Sequence, residues 1–317
     1  MAERAHRNAT TAPYVGIVIG VLATSTGAIF IRFAQAEAVP SLVIAAYRLG
    51  LASLILAPIA LGRGHAELRA MTRRQWGLAL MSGAALGLHF GAWITSLAFT
   101  SVAASVVLVS TNPLFVAVLA ALLLRERLSR AVMIGLGVTL GGVVVVGLAD
   151  ACQPAGCPPL AEWVRGRAFV GDLLALVGAM GGAVYFTVGR SLRATLSLTT
   201  YVFITYSTAA VCVIGAAAVA RLPAGGYSPQ AYVWFLLLAL VPQLLGHSAF
   251  NWALKFLPAT YVSVTVLGEP AASTVMAAVL LGERPTALKL AGGALILAGI
   301  ALASRRPIPA TPSALRS

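Results

Sequence analysis

The sequence predicts an all-α integral membrane protein of ten transmembrane helices, built as two inverted five-helix repeats. Two observations predict it. Hydrophobic residues fill 59% and charged residues 10% of 317 positions, with a mean hydropathy of +0.91, whereas an average soluble domain carries roughly 25% charge. A soluble fold has no interior large enough to hide that apolar surface. The second observation is a stretch that occurs twice: residues 113 to 142 read PLFVAVLAALLLRERLSRAVMIGLGVTLGG and residues 270 to 299 read PAASTVMAAVLLGERPTALKLAGGALILAG. At a constant offset of 157, without a gap, Pro113 meets Pro270, Glu126-Arg127 meets Glu283-Arg284, and Gly135 and Gly142 meet Gly292 and Gly299. The same register carries Leu88, Leu97, Phe99, Val107 and Val109 onto Leu245, Leu254, Phe256, Val264 and Val266. The chain is a duplication whose halves share one fold.

Ten apolar runs follow along the chain: 13–33, 40–61, 76–98, 101–124, 131–149, 168–190, 198–220, 230–253, 258–282 and 287–304. Runs of roughly 20 residues at ~1.5 Å each are long enough to cross a ~30 Å hydrocarbon core. The first is too long, and its end too unlike a cleavage site, to be a removed signal peptide. The resulting organisation is a tail over 1–12, a first repeat over 13–149, a connecting loop over 150–167, a second repeat over 168–304 and a tail over 305–317. Five spans per half force the second copy to enter from the opposite side, which makes the repeat inverted.

Charge placement gives orientation and excludes a class of partner. With the N-terminus cytoplasmic, the inner joints and tails hold fifteen of the 22 Lys and Arg residues, the outer joints hold Arg165, Arg167, Arg221 and Arg284, and Arg32, Arg48 and Lys289 fall inside spans. That asymmetry places both termini in the cytoplasm. The net charge of +13 therefore reflects topology; no aromatic-basic interleaving and no soluble domain offer a nucleic-acid groove. Cys152 and Cys157, in CQPAGC, either form a small local disulfide or remain two thiols, and Cys212 reads as a small packing residue. No metal-ligand spacing is present, and neither a metal nor a cofactor is expected.

These residues resemble a known family. Ten spans in two inverted halves, each with a mid-membrane proline in its fourth span and an apolar run ending in RER or GER, are similar to the drug/metabolite transporter superfamily. PLFVAVLAALLLRERLS and EPAASTVMAAVLLGERPTALKLAGGALILAG resemble the EamA-domain signature, and AAYRLGLASLILAP around Arg48 fits the same pattern. The resemblance covers residues 13 to 304. It implies export of small metabolites across a bacterial inner membrane, with a layout similar to ten-span amino-acid exporters of the YddG type.

Ionisable groups are costly in hydrocarbon and usually face a cavity or a partner, which makes them the first candidates for a pathway. Glu269 precedes Pro270 halfway along the ninth run, and its counterpart Asn112 precedes Pro113 in the fourth. Proline frees a carbonyl and lets a helix bend, so Pro113 and Pro270 are expected hinges beside a binding site, unless they serve packing alone. Glu269 is either a proton-exchanging carboxyl or a buried acid neutralised by a neighbour. Arg48 either grips a substrate carboxylate or pairs with Glu269 or carbonyls to fix the fold. Arg32, near the end of the first run, is expected to snorkel to the interface. His89 with Trp93, and His247 with Asn251 and Trp252, fall in corresponding regions of the two repeats, His89 and His247 one residue out of register. Spacings of four put His89 with Trp93, and His247 with Asn251, on common faces. Tyr185 is a further cavity candidate, and Tyr201 reads as an interfacial anchor.

The expected activity is alternating access around a midplane cavity lined by the third, fourth, eighth and ninth spans. An Arg, a Glu, two His and aromatics suit an amino acid or similar metabolite, carried by a monomer or homodimer in the lipid bilayer. Other readings stay open: a proton-coupled exporter of cationic drugs using Glu269, an exporter of nucleobases or sugars, a channel or structural subunit, and an intramembrane lipid-modifying enzyme. Against the enzyme stand the absence of HExxH, of GxSxG and of a second carboxylate near Glu269.

Overall fold

A computed structural model describes residues 2–124, 130–151, 166–257, 259–266 and 268–303. Glu126 and Arg127, the Cys152 and Cys157 pair, and the tail 305–317 lie outside them. The described residues are helical, with no strand among them. The first half comprises α1 (Ala2–Ser25), α2 (Gly27–Ala36), α3 (Ser41–Gly62), the short α4 (His65–Ala70), α5 (Arg73–Ser96), α6 (Val102–Val109), α7 (Asn112–Leu124) and α8 (Arg130–Ala151). The second comprises α9 (Arg167–Arg193), α10 (Leu198–Val219), α11 (Pro229–Leu238), a π-helical stretch (Ala239–His247), α12 (Ser248–Ala253), α13 (Ala259–Thr265), α14 (Gly268–Leu280) and α15 (Ala287–Ala303). α1 extends through the polar residues before Pro13.

Among the described residues, seven stretches are long and apolar enough to cross a membrane: Ala12–Ala36, Ser41–Gly62, Arg73–Ser96, Val102–Leu119, Arg167–Arg193, Leu198–Val219 and Pro229–Ala253. They coincide with the first four expected runs and the sixth to eighth. The fifth and tenth contain the shorter apolar stretches Met133–Val146 and Ala287–Gly299, and the ninth is divided between α13 and α14. The exterior is apolar: Val219 is 86%, Val279 76% and Leu54 69% exposed. Arg48, Tyr201, Gln243 and Asn251 are buried. An apolar outside and a polar-bearing inside are what a lipid solvent demands.

Glycines set how the helices meet. A Cβ on Gly142 would stand 2.8 Å from Gly292 O, and one on Gly299 would stand 2.7 Å from Gly135 O. Since Gly135 and Gly142 are 157 residues before Gly292 and Gly299, these two contacts between α8 and α15 exchange under the repeat relation. A second exchanged pair joins other elements: a Cβ on Gly181 of α9 would meet His89 Cα of α5 at 3.2 Å, and one on Gly246 would meet Thr24 of α1 at 2.7 Å. Positions 181 and 89 map by the same offset onto 24 and 246. Each of these contacts therefore has a counterpart at the same sequence offset in the other half.

Four helices are interrupted where a site can form. The fourth run breaks at Ser110-Thr111, immediately before Asn112 and Pro113, and the ninth breaks after Thr265, before Glu269 and Pro270. In both, the proline lies in the first turn of the following helix, where a missing amide costs little. Thr26 separates α1 from α2, and the preceding hydroxyls turn back on their own helix: Ser25 Oγ donates to Val21 O at 2.7 Å and Thr26 Oγ1 to Ala23 O at 2.7 Å. Pro242 lies inside the π-helical stretch; its ring cannot accept the ordinary hydrogen-bond ladder, and a wider turn accommodates it.

Candidate functional site

The breaks face one another at the centre of the bundle. A cavity of about 40 Å³ lies between them, lined by His89 and Trp93 of α5, Ser110 and Asn112 at the fourth-run break, Tyr185 of α9, His247 at the end of the π-helical stretch, and Glu269 of α14. Phe186, Phe250, Ser263 and Val266 complete much of its wall. Six of the nine residues expected to bind substrate line it, and they come from both halves of the chain.

The first-half residues are held by α9. His89 Nδ1 lies 2.8 Å from Gly178 O, and Asn112 Nδ2 donates to Ala179 O at 3.2 Å. Gly182 makes this possible, since a Cβ there would stand 2.5 Å from Asn112 Nδ2 and 3.1 Å from His89 Nδ1. Residues of both halves form an aromatic wall. The rings of His89 and His247 lie 6.3 Å apart, His89 stacks on Trp93 at 6.0 Å, and His247 packs edge-on against Phe90 at 5.1 Å and Phe250 at 6.1 Å. The one-residue departure of His247 from the repeat register coincides with the π-helical stretch, which His247 closes.

Several polar atoms here have no hydrogen-bond partner among the described residues: Trp93 Nε1, Asn112 Oδ1 and His247 Nδ1. Leaving a buried donor or acceptor unpaired costs roughly 1–3 kcal/mol, so these atoms call for water or for a ligand that supplies hydrogen-bond donors and acceptors. Glu269 has the Thr24 hydroxyl beside it and Arg48 within electrostatic reach. One turn further along α14, Ser273 Oγ donates to Ser25 O at 3.0 Å.

Arg48 stands behind the wall. Its Nε donates to Gln243 Oε1 at 2.8 Å and its guanidinium lies 4.0 Å from the Phe90 ring centre. Asn251 also adjoins the cavity from outside its lining, donating through Nδ2 to Tyr185 Oη and, at 2.8 Å, to His247 O. Trp252, the next residue, turns away by a helical step of about 100°. It packs against Gly16 of α1 and stands 5.1 Å from the Phe256 ring.

Three side chains differ from their expected settings. Tyr201 is buried, bonded through its hydroxyl to Ser82 Oγ at 2.8 Å, because α10 lies against α5 at that point and not against lipid. Arg32 has a fixed partner: its Nη2 pairs with Glu283 Oε1 at 3.0 Å. Cys212 is exposed, although its Cβ borders Gly87. Ser110, Ser263 and Thr24 are parts of the site or its support that charge and aromaticity alone did not single out.

Comparison with known proteins identifies the family. Residues 11–148 and 169–305 each match the EamA-like transporter family. An uncharacterized transporter of Archaeoglobus fulgidus is 27% identical over 204 residues, covering 63% of this chain and 67% of that protein. A protein of known crystal structure, 22% identical, superposes with a TM-score of 0.63 over 93% of this chain and 96% of the other, which is a likeness of fold. The two family matches together span most of the sequence, and the protein is a membrane protein belonging to the EamA-like transporter family.

Proposed function

We propose that the protein exports amino acids or closely similar zwitterionic metabolites across a bacterial inner membrane by alternating access around the central cavity. The observation that carries this reading is the cavity itself, enclosed by two broken helices and lined from both halves by an acid, two histidines, an amide and a tryptophan. Glu269 faces a ligand ammonium. Trp93 Nε1, His247 and Asn112 offer hydrogen bonds to its carboxylate and amino groups, and Phe186, Phe250 and Tyr185 receive an apolar side chain. Arg48 acts as a positioning residue, fixing Phe90 and Gln243 and balancing the charge of Glu269.

The ten-span, two-repeat organisation belongs to the same proposal, with repeats over 13–149 and 168–304, a joining loop over 150–167, and cytoplasmic tails over 1–12 and 305–317. The exchanged glycine contacts support the two-fold relation, and the bias of Lys and Arg supports cytoplasmic termini. Pro113 and Pro270 serve as hinges. At roughly 10–15 Å³ per water, a 40 Å³ cavity holds a few waters and no metabolite. The site is therefore closed, and loading it requires its helices to part. A second reading, proton-coupled export of cationic drugs, is favoured by the presence of Glu269 in the lining.

The test is release from liposomes containing the purified protein and preloaded with amino acids, nucleobases, sugars and a cationic dye, followed by mass spectrometry. Selective release of a few amino acids, reduced at least about tenfold (~1.4 kcal/mol) by His89→Ala and by Glu269→Gln, is the expected result. Release of dye alone, lost in Glu269→Gln and driven by a proton gradient, would replace the amino-acid reading with the drug reading.

A further inference from the structure

A second cavity, of about 460 Å³, lies at the end of the bundle formed by the α5–α6 corner, the start of α9 and the α14–α15 turn. Its lining includes Arg32, Arg284 and Lys289 against a single carboxylate, Glu283. That carboxylate is fully engaged at both oxygens. Oε1 accepts from Arg32 Nη2 at 3.0 Å and Oε2 accepts from the Val102 amide at 3.0 Å. Arg32 Nη2 also reaches Thr100 O at 3.2 Å, and Lys289 Nζ donates to Ser101 Oγ at 3.0 Å.

The geometry of the turn delivers Glu283 to this spot. Gly282 adopts φ 68°, a left-handed conformation that side chains other than glycine's resist, and the Glu283 amide returns to Ala277 O at 3.2 Å. The Arg32 and Glu283 side chains remain 27% and 24% exposed. A pair so hydrated is worth only about 0–1 kcal/mol. Exchanging one carboxylate for another on the same donors therefore costs little, and the surrounding cations remain to attract the newcomer.

We propose that this vestibule is a second binding site, for the carboxylate of a small organic acid or zwitterion, and that Glu283 is its tethered competitor. A ligand carboxylate takes the place of Glu283 on Arg32 and the Val102 amide, with Lys289 and Arg284 supplying further positive charge. The exchange also unties the α14–α15 turn from α2, since Arg32 and Glu283 bridge the two. This site rests on the vestibule charges and stands whatever the central cavity carries.

Isothermal titration of the detergent-solubilised protein with sodium succinate, at ionic strength held constant with sodium chloride, tests it. Removing the competitor raises the fraction of open sites, so Glu283→Gln is expected to bind succinate about tenfold more tightly than the wild type. Arg32→Gln abolishes the binding, Lys289→Gln weakens it several-fold, and His89→Ala leaves it unchanged. Glu283→Asp, which keeps the charge but shortens its reach, gives a change in the same direction as Glu283→Gln and serves if that variant does not fold. The proposal is overturned if neither Glu283 variant tightens binding, if Arg32→Gln binds like the wild type, or if His89→Ala removes the binding, which would assign it to the central cavity.

Discussion

Glu67 shows how a single half-buried side chain joins the two halves. It sits in α4, outside the spans, and accepts from the Ser197 amide at 2.6 Å and from the hydroxyls of Ser197 and Thr200 at the start of α10. Burial pushes its carboxyl up, but the hydrogen bonds from Ser197 and Thr200 and the charge of Arg193 outweigh it and hold the group below the ordinary carboxylate range. A carboxyl lowered in the folded state contributes stability that is present above its unfolded value and lost as pH falls through the folded value. Thermal unfolding in detergent should thus lose midpoint temperature as pH drops from about 6 to 3, and the loss should be smaller in Glu67→Gln. At neutral pH that variant should cost about 1 kcal/mol, as removal of a helix cap does. An equal pH dependence in both proteins would refute the assignment.

The same scale explains what the sequence made visible. His89, Asn112 and Glu269 stand out because polar or ionisable groups in apolar runs are costly and need a reason. Ser110, Ser263 and Thr24 did not, because a hydroxyl satisfies itself on its own helix carbonyl and is common in spans; Thr24 Oγ1 does so on Val21 O at 3.2 Å. Trp252 lies against Gly16 and outside the cavity lining, one residue of helical rotation beyond Asn251. Arg32 and Glu283 are 251 positions apart, a pairing that no local spacing announces.

Among the elements, α8 and α15 form the clearest repeat-related contact. Gly142 and Gly299 each press a bare Cα against backbone of the partner helix, so valine at either position overpacks the contact and should destabilise the protein by about 1–3 kcal/mol. The two-fold relation adds a sharper expectation: Gly142→Val and Gly299→Val should lower the unfolding midpoint by similar amounts, and Gly137→Val, whose added Cβ meets nothing within 4 Å, should change it little. A large loss at one glycine and none at its mate would contradict the relation. The breaks before Pro113 and Pro270 were legible from the prolines. The π-helical stretch was not, because Pro242 is compatible with a kink, a break or a wide turn, and packing against α1 through Gly246 decides among them.

At the scale of the whole molecule, a central cavity too small for a metabolite lies well inside a bundle whose ends are tied by different contacts. Arg32 and Glu283 hold one end. Glu67 with Ser197, and Arg193 Nε donating to Asn251 O at 3.0 Å, join repeat segments elsewhere. On the alternating-access proposal such ties open in turn, so that the cavity meets one solution and then the other. Apolar composition made the helical, membrane-spanning architecture readable, because it is spread over many residues.

The central claim is that one site meets both sides of the membrane. Ser110, which lines the cavity, is a small residue whose replacement by cysteine introduces a thiol with little change in volume. In a variant lacking Cys152, Cys157 and Cys212, Ser110→Cys would be exposed to a membrane-impermeant thiol reagent in right-side-out and in inverted vesicles, with and without a transported amino acid. The account predicts labelling from both sides, slowed from both by substrate; labelling from one side alone, or labelling indifferent to every transported compound, would contradict it.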